Sequence, residues 1–387
     1  MVSSLNGGFP QQISDRIEGF SLGSAFLLHS RESGALLSSN DFGRDIYDAL
    51  RARLNLPEIA DEIARQNGFE RSDVEPLVSD VVQQWQAAGL FLQDMCPFVD
   101  PVPYRVPVTD ISHTYCFGNR YVVLRCENPK LSKQVAACLR IYAAGPLSSP
   151  DDGETALLDV IAEDGEYGVF RDRVPVWGRA PHDLTRYHII RECMDHICTP
   201  ARVAAHLHAA AVAQGGQALI LAGGSGQGKT TLSLGLLASG CQQAADDHVA
   251  VAVDGTNMLA FPAVSSVKRG AWNLPWVQSL DPGGSAETAS PRNGVRFVRP
   301  PRTVPAATPL PVSAFVFPDY AEGAENSCSL LDPAQALTQL IQTGGRVSRR
   351  NPSLAPLVAL LDRVPSYYLR YGSTDYSVET CQSLLAR

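Results

Sequence analysis

The stretch QALILAGGSGQGKTTLSLGLL, from Gln217 to Leu237, decides how this 387-residue chain is read. Gln217–Ala222 is a short apolar run of buried-strand type, and the residues from Thr231 to Leu237 have the pattern of a helix that stops at Gly240. Between them lies Gly223-Gly224-Ser225-Gly226-Gln227-Gly228-Lys229-Thr230, which is the pattern G-x-x-x-x-G-K-[ST]. Glycines let backbone N–H groups converge on phosphate oxygens, and the following helix offers its positive N-terminus. The lysine then reaches the phosphates, and the threonine hydroxyl helps to hold Mg²⁺. Strand, loop and helix in this order predict an α/β nucleotide-binding core, with Gly223 through Thr231 as the ATP-binding segment. Only four lysines occur, Lys130, Lys133, Lys229 and Lys268, against 28 arginines, so a lysine in this place is informative.

Downstream, Asp246 and Asp247 stand together at the end of an apolar approach, seventeen residues beyond Lys229. Most phosphate-loop enzymes bring their Mg²⁺-directing acid from much further along the chain. On an extended segment adjacent side chains point opposite ways, which predicts separate jobs for the two, one toward the metal and the other toward the nucleophile. Upstream lies His208, which by itself reads as a packed or surface histidine.

Taken together, His206–Val251 (HLHAAAVAQGGQALILAGGSGQGKTTLSLGLLASGCQQAADDHVAV), a turn at Asp254-Gly255-Thr256-Asn257 and the segment FPAVSSVKRG, Phe261–Gly270, closely resemble the catalytic domain of the HPr kinase/phosphorylase family. The match is strong over 206–270 and weak beyond. The resemblance implies that Lys229 and the Gly223–Gly228 backbone bind ATP phosphates and that Thr230 and Asp247 direct Mg²⁺. It makes Asp246 the general base and places His208 beside it, orienting the nucleophile or shielding charge. The sequence departs from the family at Lys229-Thr230-Thr231, where HPr kinases carry Ser-Glu, and the segment tied to the phosphorylase reaction is not found. Dephosphorylation and the HPr substrate are therefore not expected. HPr kinases form hexamers, which leaves homo-oligomerisation open here.

The N-terminal part differs in charge. Residues 1–98 hold 14 acids against 7 arginines and no lysine, out of a net charge of −8 for the chain. Phe26–His29 and Ala35–Leu37 read as a hairpin around Ser30–Gly34. Asn40 and Asp41 then cap a helix with Phe42, Ile46 and Leu50 on one face. A second helix carries Leu56, Ile59 and Ile63 and ends near Gly68. A third, capped by Ser72-Asp73, places Val74, Leu77, Val78, Val81, Val82 and Trp85 on one side and ends at Gly89, after which Leu90-Phe91-Leu92 return as a strand. Such an α+β winged helix suggests DNA binding, but the third helix offers Asp73, Glu75 and Asp80 with only Arg71 to meet phosphates. The segments Gly34–Leu50, Leu56–Gln66 and Asp73–Phe91 instead resemble the PqqD-like family of leader-peptide recognition elements, over about residues 13–93. That resemblance implies a precursor's leader added as a strand to a sheet edge near Ala25–His29, with the third helix lining the groove.

Residues 1–93 thus read as a PqqD-like domain, the proline-rich 94–108 as a linker and 109–387 as the kinase-like part, in which 201–387 holds the nucleotide core and 109–200 carries no catalytic signature. An apolar share of 45% with 19% charged residues excludes wholesale disorder. The acidic balance argues against nucleic acid as the partner. The start lacks a basic region followed by an apolar one, the most apolar run, Val203–Ala222, is interrupted by His206, His208, Gln214 and Gln217, and nine scattered cysteines include no Cys-x-x-Cys. A cytoplasmic protein without a membrane span is expected. Cys193, His196 and Cys198 lack a fourth ligand and the usual zinc spacing, so they read as ordinary buried residues. Arg269, Arg292, Arg296, Arg299 and Arg302 form the one sizeable basic cluster, read either as a phosphate or acidic-peptide holder or as a solvated loop, and Ser279–Gly294 has the composition of a mobile lid.

The expected function is a kinase that phosphorylates Ser or Thr of a ribosomally made precursor peptide, as in the lasso-peptide precursor kinases related to the HPr enzyme. Two other readings stand beside it: a nucleotide-sensing module that presents a peptide to other biosynthetic enzymes without transferring phosphate, and ATP-driven chemistry on the peptide backbone.

Overall fold

The computed structural model describes residues 15–91, 102–145, 154–199, 202–281 and 294–386, a mixed α/β arrangement of several sheets and ten helices. The proline-rich segment around residue 97 and most of the expected lid, 282–293, lie outside the described residues.

The first sheet is a meander of β1 (Ile17–Leu22), β2 (Ala25–Ser30) and β3 (Leu36–Ser39), covered by α1 (Asp41–Arg51), α2 (Leu56–Asn67) and α3 (Arg71–Ala87). Asn40 caps α1 through Gly43 N–H, and Asn55 with Glu58 forms a reciprocal capping box on α2. Four expectations are corrected here. Pairing with β1 makes β2 the central strand, so the Ala25–His29 edge does not exist, and the outer strands are β1 and β3. Leu90 and Phe91 lie in a turn rather than a strand. Leu77 is exposed, because i+3 from Val74 places it off the stripe of Val74, Val78, Val82 and Trp85. Helix α3 begins one turn-position early, after Glu70, with no side-chain cap.

The second sheet joins β4 (Ser112–Phe117), β5 (Arg120–Cys126), β6 (Ala143–Ala144), β7 (Glu154–Glu163), β8 (Glu166–Arg171) and β9 (Val174–Ala180) in the order β6-β4-β5-β7-β8-β9. Only β5 and β7 are parallel, and α4 (Pro129–Cys138) lies in the connection between them. Helix α5 (His182–Cys198) follows. It is buried on most of its circumference, because one side meets this sheet and another meets the next unit.

The third unit is built on β10 (Val203–Leu207), β11 (Ala209–Gln214), β12 (Gln217–Ala222), β13 (Gln242–Ala245), β14 (Val249–Ala252), β15 (Asn257–Leu259), β18 (Pro309–Tyr320), β19 (Ser327–Leu331), β20 (Arg346–Val347) and β21 (Ser366–Tyr371). Its path runs β13-β11-β12-β18-β15-β14-β10-β20, with β21 and β19 attached to β18. Strand β18 is long enough to pair with β15 through its first residues and then with both β12 and β21 in parallel. A separate ribbon, β16 (Ser265–Lys268) and β17 (Val295–Val298), stands beside α6 (Lys229–Ala238) and α7 (Pro275–Leu280). Helices α8 (Pro333–Gln342) and α9 (Ala355–Arg363) cover one face of the sheet, and α10 (Thr374–Leu385) with α6 covers the other.

The three units share their cores. Leu22 and Leu27 of the first sheet are buried with Leu337, Leu340 and Leu361 of α8 and α9. Ile189 and Cys193 of α5 are buried with Ala250, Leu259 and Phe261. Two carboxylates latch the first unit in place. Glu18 accepts hydrogen bonds from Ser353 Oγ (2.7 Å) and Leu354 N–H (3.0 Å) at the start of α9, and Asp332, which caps α8, also accepts from Ser24 N–H at 3.2 Å. Among the described residues no helix is long and apolar enough to cross a membrane.

Candidate functional site

The glycine loop leaves β12 where β12 runs parallel to β18, at the end of the strands that faces the N-terminus of α6. Gly223, Gly226 and Gly228 have φ of 144°, 90° and 96°, which side-chain-bearing residues avoid. At Gly228 space is also tight, since a Cβ would lie 2.5 Å from Tyr371 Oη. Lys229 is buried at the first turn of α6, its ammonium donating to the carbonyls of Gly223 (2.6 Å) and Gly224 (2.9 Å). Burial lowers its pKa, against the opposing charges of Asp247 and Asp246.

Gln227 turns its side-chain oxygen back into the loop and accepts from Gly224 N–H. An oxygen acceptor thus already sits in the cradle, which is what a nest of N–H groups at a helix start favours and where a phosphate oxygen fits. At the loop tip Ser225 Oγ is met by Lys268 Nζ at 2.8 Å, from the β16–β17 ribbon. Two of the four lysines therefore stand at this loop; the second was signalled in the sequence only by its rarity. Of the basic cluster, Arg296 is stacked on Trp272 at 4.3 Å and Arg302 reaches the Gly240 carbonyl; Arg292 lies outside the described residues.

Asp246 and Asp247 are not on an extended segment. They form a bend between β13 and β14, with Asp247 in the left-handed conformation at φ 60°, a backbone that aspartate tolerates better than most residues. The expectation of opposed side chains is corrected accordingly: both acids line one cavity of about 80 Å³, room for a few water molecules or a short side chain. His208 lines it too, from the break between β10 and β11. Asp246 is buried and its Oδ1 has no hydrogen-bond partner. Burial, then the neighbouring charge of Asp247, holds its carboxyl well above the usual carboxylate range, against a backbone N–H from Ser266 and the charge of Lys229. Burial also lowers the pKa of His208, opposed by Asp247 and reinforced by Lys229. These mutual effects place Lys229, His208, Asp246 and Asp247 in one electrostatic cluster.

The opposite wall comes from a part of the chain that carried no signature. Arg186, Tyr187 and Ile190 of α5 line the cavity, with Cys138 at the end of α4. Tyr187 packs on His248, with ring centroids 4.5 Å apart, and burial pushes His248 down to about 3, which keeps it neutral. Two arginines, Arg186 and Arg191, in the largely buried run HDLTRYHIIRECMDHIC were the available signal for this wall.

Thr230 and Thr231 lie half-buried in the first turn of α6, directly after Lys229. Cys193, His196 and Cys198 play a packing role. His196 is held by Arg171 and the Glu154 carbonyl, and burial raises both thiols, that of Cys198 to about 12. Among the described residues no group of three or more His, Cys, Asp or Glu is placed to hold a metal ion.

The arrangement offers an anion cradle with a buried lysine, and next to it a cavity with one unsatisfied carboxylate oxygen, the composition required to hold a phosphate chain beside a proton acceptor. Compared with known proteins, the chain matches no family model and no curated protein.

Proposed function

We propose that this chain is an ATP- and Mg²⁺-dependent kinase of the HPr-kinase-like, phosphate-loop type, which phosphorylates a Ser or Thr hydroxyl of a ribosomally made precursor peptide, and that residues 15–91 form a PqqD-like element for the leader. The observation that carries it is that His208 and the Asp246–Asp247 pair, from two separate segments, line one cavity, while Lys229 of the glycine loop is near enough to couple electrostatically to all three.

The residues fit a nucleotide with its metal. The Gly223–Gly228 N–H groups and Lys229 would hold the phosphates, with Gln227 giving up its place in the loop, and Thr230 and Asp247 would hold Mg²⁺. The bound group supplies the transferable phosphoryl and the neutralising charge. The protein does the rest. Asp246, short of one hydrogen bond, accepts one from the acceptor hydroxyl and takes its proton, and its raised pKa makes it a stronger base than a solvated carboxylate. His208, kept neutral by burial, orients that hydroxyl or the carboxylate. Tyr187, Ile190 and Cys138 narrow the cavity and limit water.

The test is incubation of the protein with ATP, Mg²⁺ and a short precursor peptide encoded beside its gene, followed by intact-mass spectrometry. A gain of about 80 Da, one phosphoryl group, is expected with the intact protein and not with Lys229→Ala. Nucleotide binding with no mass gain would favour the presenting module, and free phosphate without phosphopeptide would favour ATP-driven backbone chemistry.

A further inference from the structure

We propose that Arg186, donated by α5 from the middle unit, is the clamp that holds the phosphoryl group on the acceptor side of the cavity; this rests on the kinase reading above. Its surroundings single it out. The other arginines of this unit that pack near its strands are committed: Arg105 to Glu127, Arg120 to Glu154, Arg125 to Asp159 and Arg179 to Glu163. On α5 itself Arg191 is stacked over Trp177. Arg186 has no carboxylate within ion-pair distance among the described residues, and its one hydrogen bond is a 4.0 Å contact to the Cys138 thiol. Yet it is half-buried and lines the same cavity as Asp246, Asp247 and His208.

A half-buried guanidinium that makes no ion pair has lost part of its hydration without a charged partner in contact, and an arriving anion supplies that partner. The fork of N–H donors matches two oxygens of a phosphoryl group, a geometry an ammonium cannot reproduce. The loop side of the site already has Lys229 and Lys268, so a cation from α5 flanks the group from a different element. In the transfer, the bond from the acceptor oxygen to phosphorus forms and the bond from phosphorus to the bridging oxygen of ADP breaks. The hydroxyl proton passes to Asp246, and Arg186 donates to peripheral oxygens throughout. The middle unit thereby completes the site rather than merely supporting it.

The experiment uses the full-length protein with Mg²⁺ and ADP, with inorganic phosphate as the probe in calorimetric titrations. The ADP-loaded wild type is expected to bind phosphate, Arg186→Ala to weaken that binding by about tenfold or more, and Arg186→Lys to recover only part. Affinity for ADP alone should stay within about twofold in both variants, a split that general unfolding would not produce. Arg186→Gln, which keeps a polar side chain but removes the charge and the guanidinium fork, serves if the alanine variant fails to fold, with the same loss expected. Equal phosphate affinity in wild type and variant, or no phosphate binding by the ADP-loaded wild type, overturns the clamp alone. Failure of the wild type to bind ADP overturns the kinase reading, and the clamp with it.

Discussion

Asp246 illustrates how much can rest on one missing hydrogen bond. It is buried, carries an unpartnered oxygen and has a like charge next door, a costly combination that structure alone does not justify. Asp246→Asn keeps the shape and removes the basicity. We expect nucleotide affinity within a few-fold of wild type and phosphotransfer reduced about 10²–10⁴-fold, measured by single-turnover transfer from labelled ATP. A comparable loss of nucleotide binding would mean that the residue holds the loop instead. At this scale the sequence names candidate residues and says little about their geometry. Gly223–Thr230 could be picked out as a candidate segment because a glycine loop between a strand and a helix is a local motif, and His208, Asp246 and Asp247 because they flank it in the chain. The bend at the acid pair could not, because a left-handed aspartate leaves no mark in the pattern of apolar residues around it.

Among elements, α6 matters most, since it carries Lys229 and fixes the loop's exit. It approaches α10 closely at Gly235, where an added Cβ would come 2.8 Å from Val378 Cγ2. Gly235→Ala gains helix propensity of about 1 kcal/mol but must push the two helices apart, at a cost of about 1–3 kcal/mol. A net loss of stability and weaker nucleotide binding are expected, read from denaturant melts and fluorescent-nucleotide titration; the double variant Gly235→Ala/Val378→Ala should recover both. Helix α6 and strand β12 were foreseen to within a residue or two, each being short, regular and bounded by glycine. Helix α5 escaped notice because it is enclosed by two units. Buried positions on this helix include Thr185, His188, Arg191, Glu192 and His196 beside Ile189, Cys193 and Ile197, so polar residues do not segregate to one face and the 3.6-residue period that reveals surface helices is absent. Strand β1 escaped because Ile17, Phe20 and Leu22 do not alternate cleanly, and only its pairing with β2 makes it a strand. Missing it misplaced the sheet edge.

At the level of the whole chain, the acidic unit is docked rather than tethered. Burial tends to raise the pKa of Glu18, but hydrogen bonds from His29, Arg31, Ser353 and Leu354 outweigh it and lower the value from 4.5 to about 2. A carboxylate depressed in the folded state contributes stability that is fully present above about 4.5 and is lost as pH falls through about 2. That contribution is on the order of 3 kcal/mol at neutral pH. Glu18→Gln should lower stability at pH 7 by up to that amount and flatten the acid limb of the stability curve between 4.5 and 2, as followed by tryptophan fluorescence. An unchanged acid limb would mean that the latch carries no weight. Deleting residues 1–91 removes Leu22 and Leu27 from their places against Leu337, Leu340 and Leu361, so the shortened chain should expose an apolar face and aggregate, seen as early elution in size-exclusion chromatography. A well-behaved truncated protein would contradict the shared core.

The two carboxylate latches also set a condition on engineering. Small terminal units are attractive parts to trade between proteins, on the supposition that a string of residues connects them to the rest of the chain and nothing else. Here a transplanted first unit would arrive with Glu18 and the Ser24 amide seeking partners that a foreign host does not offer, and the remainder of this chain would be left with Asp332 and the start of α9 bare. A working chimaera would have to carry α8 and α9 along with the first sheet, making the seam of exchange a surface inside the third unit rather than the proline-rich stretch where the sequence invites the cut.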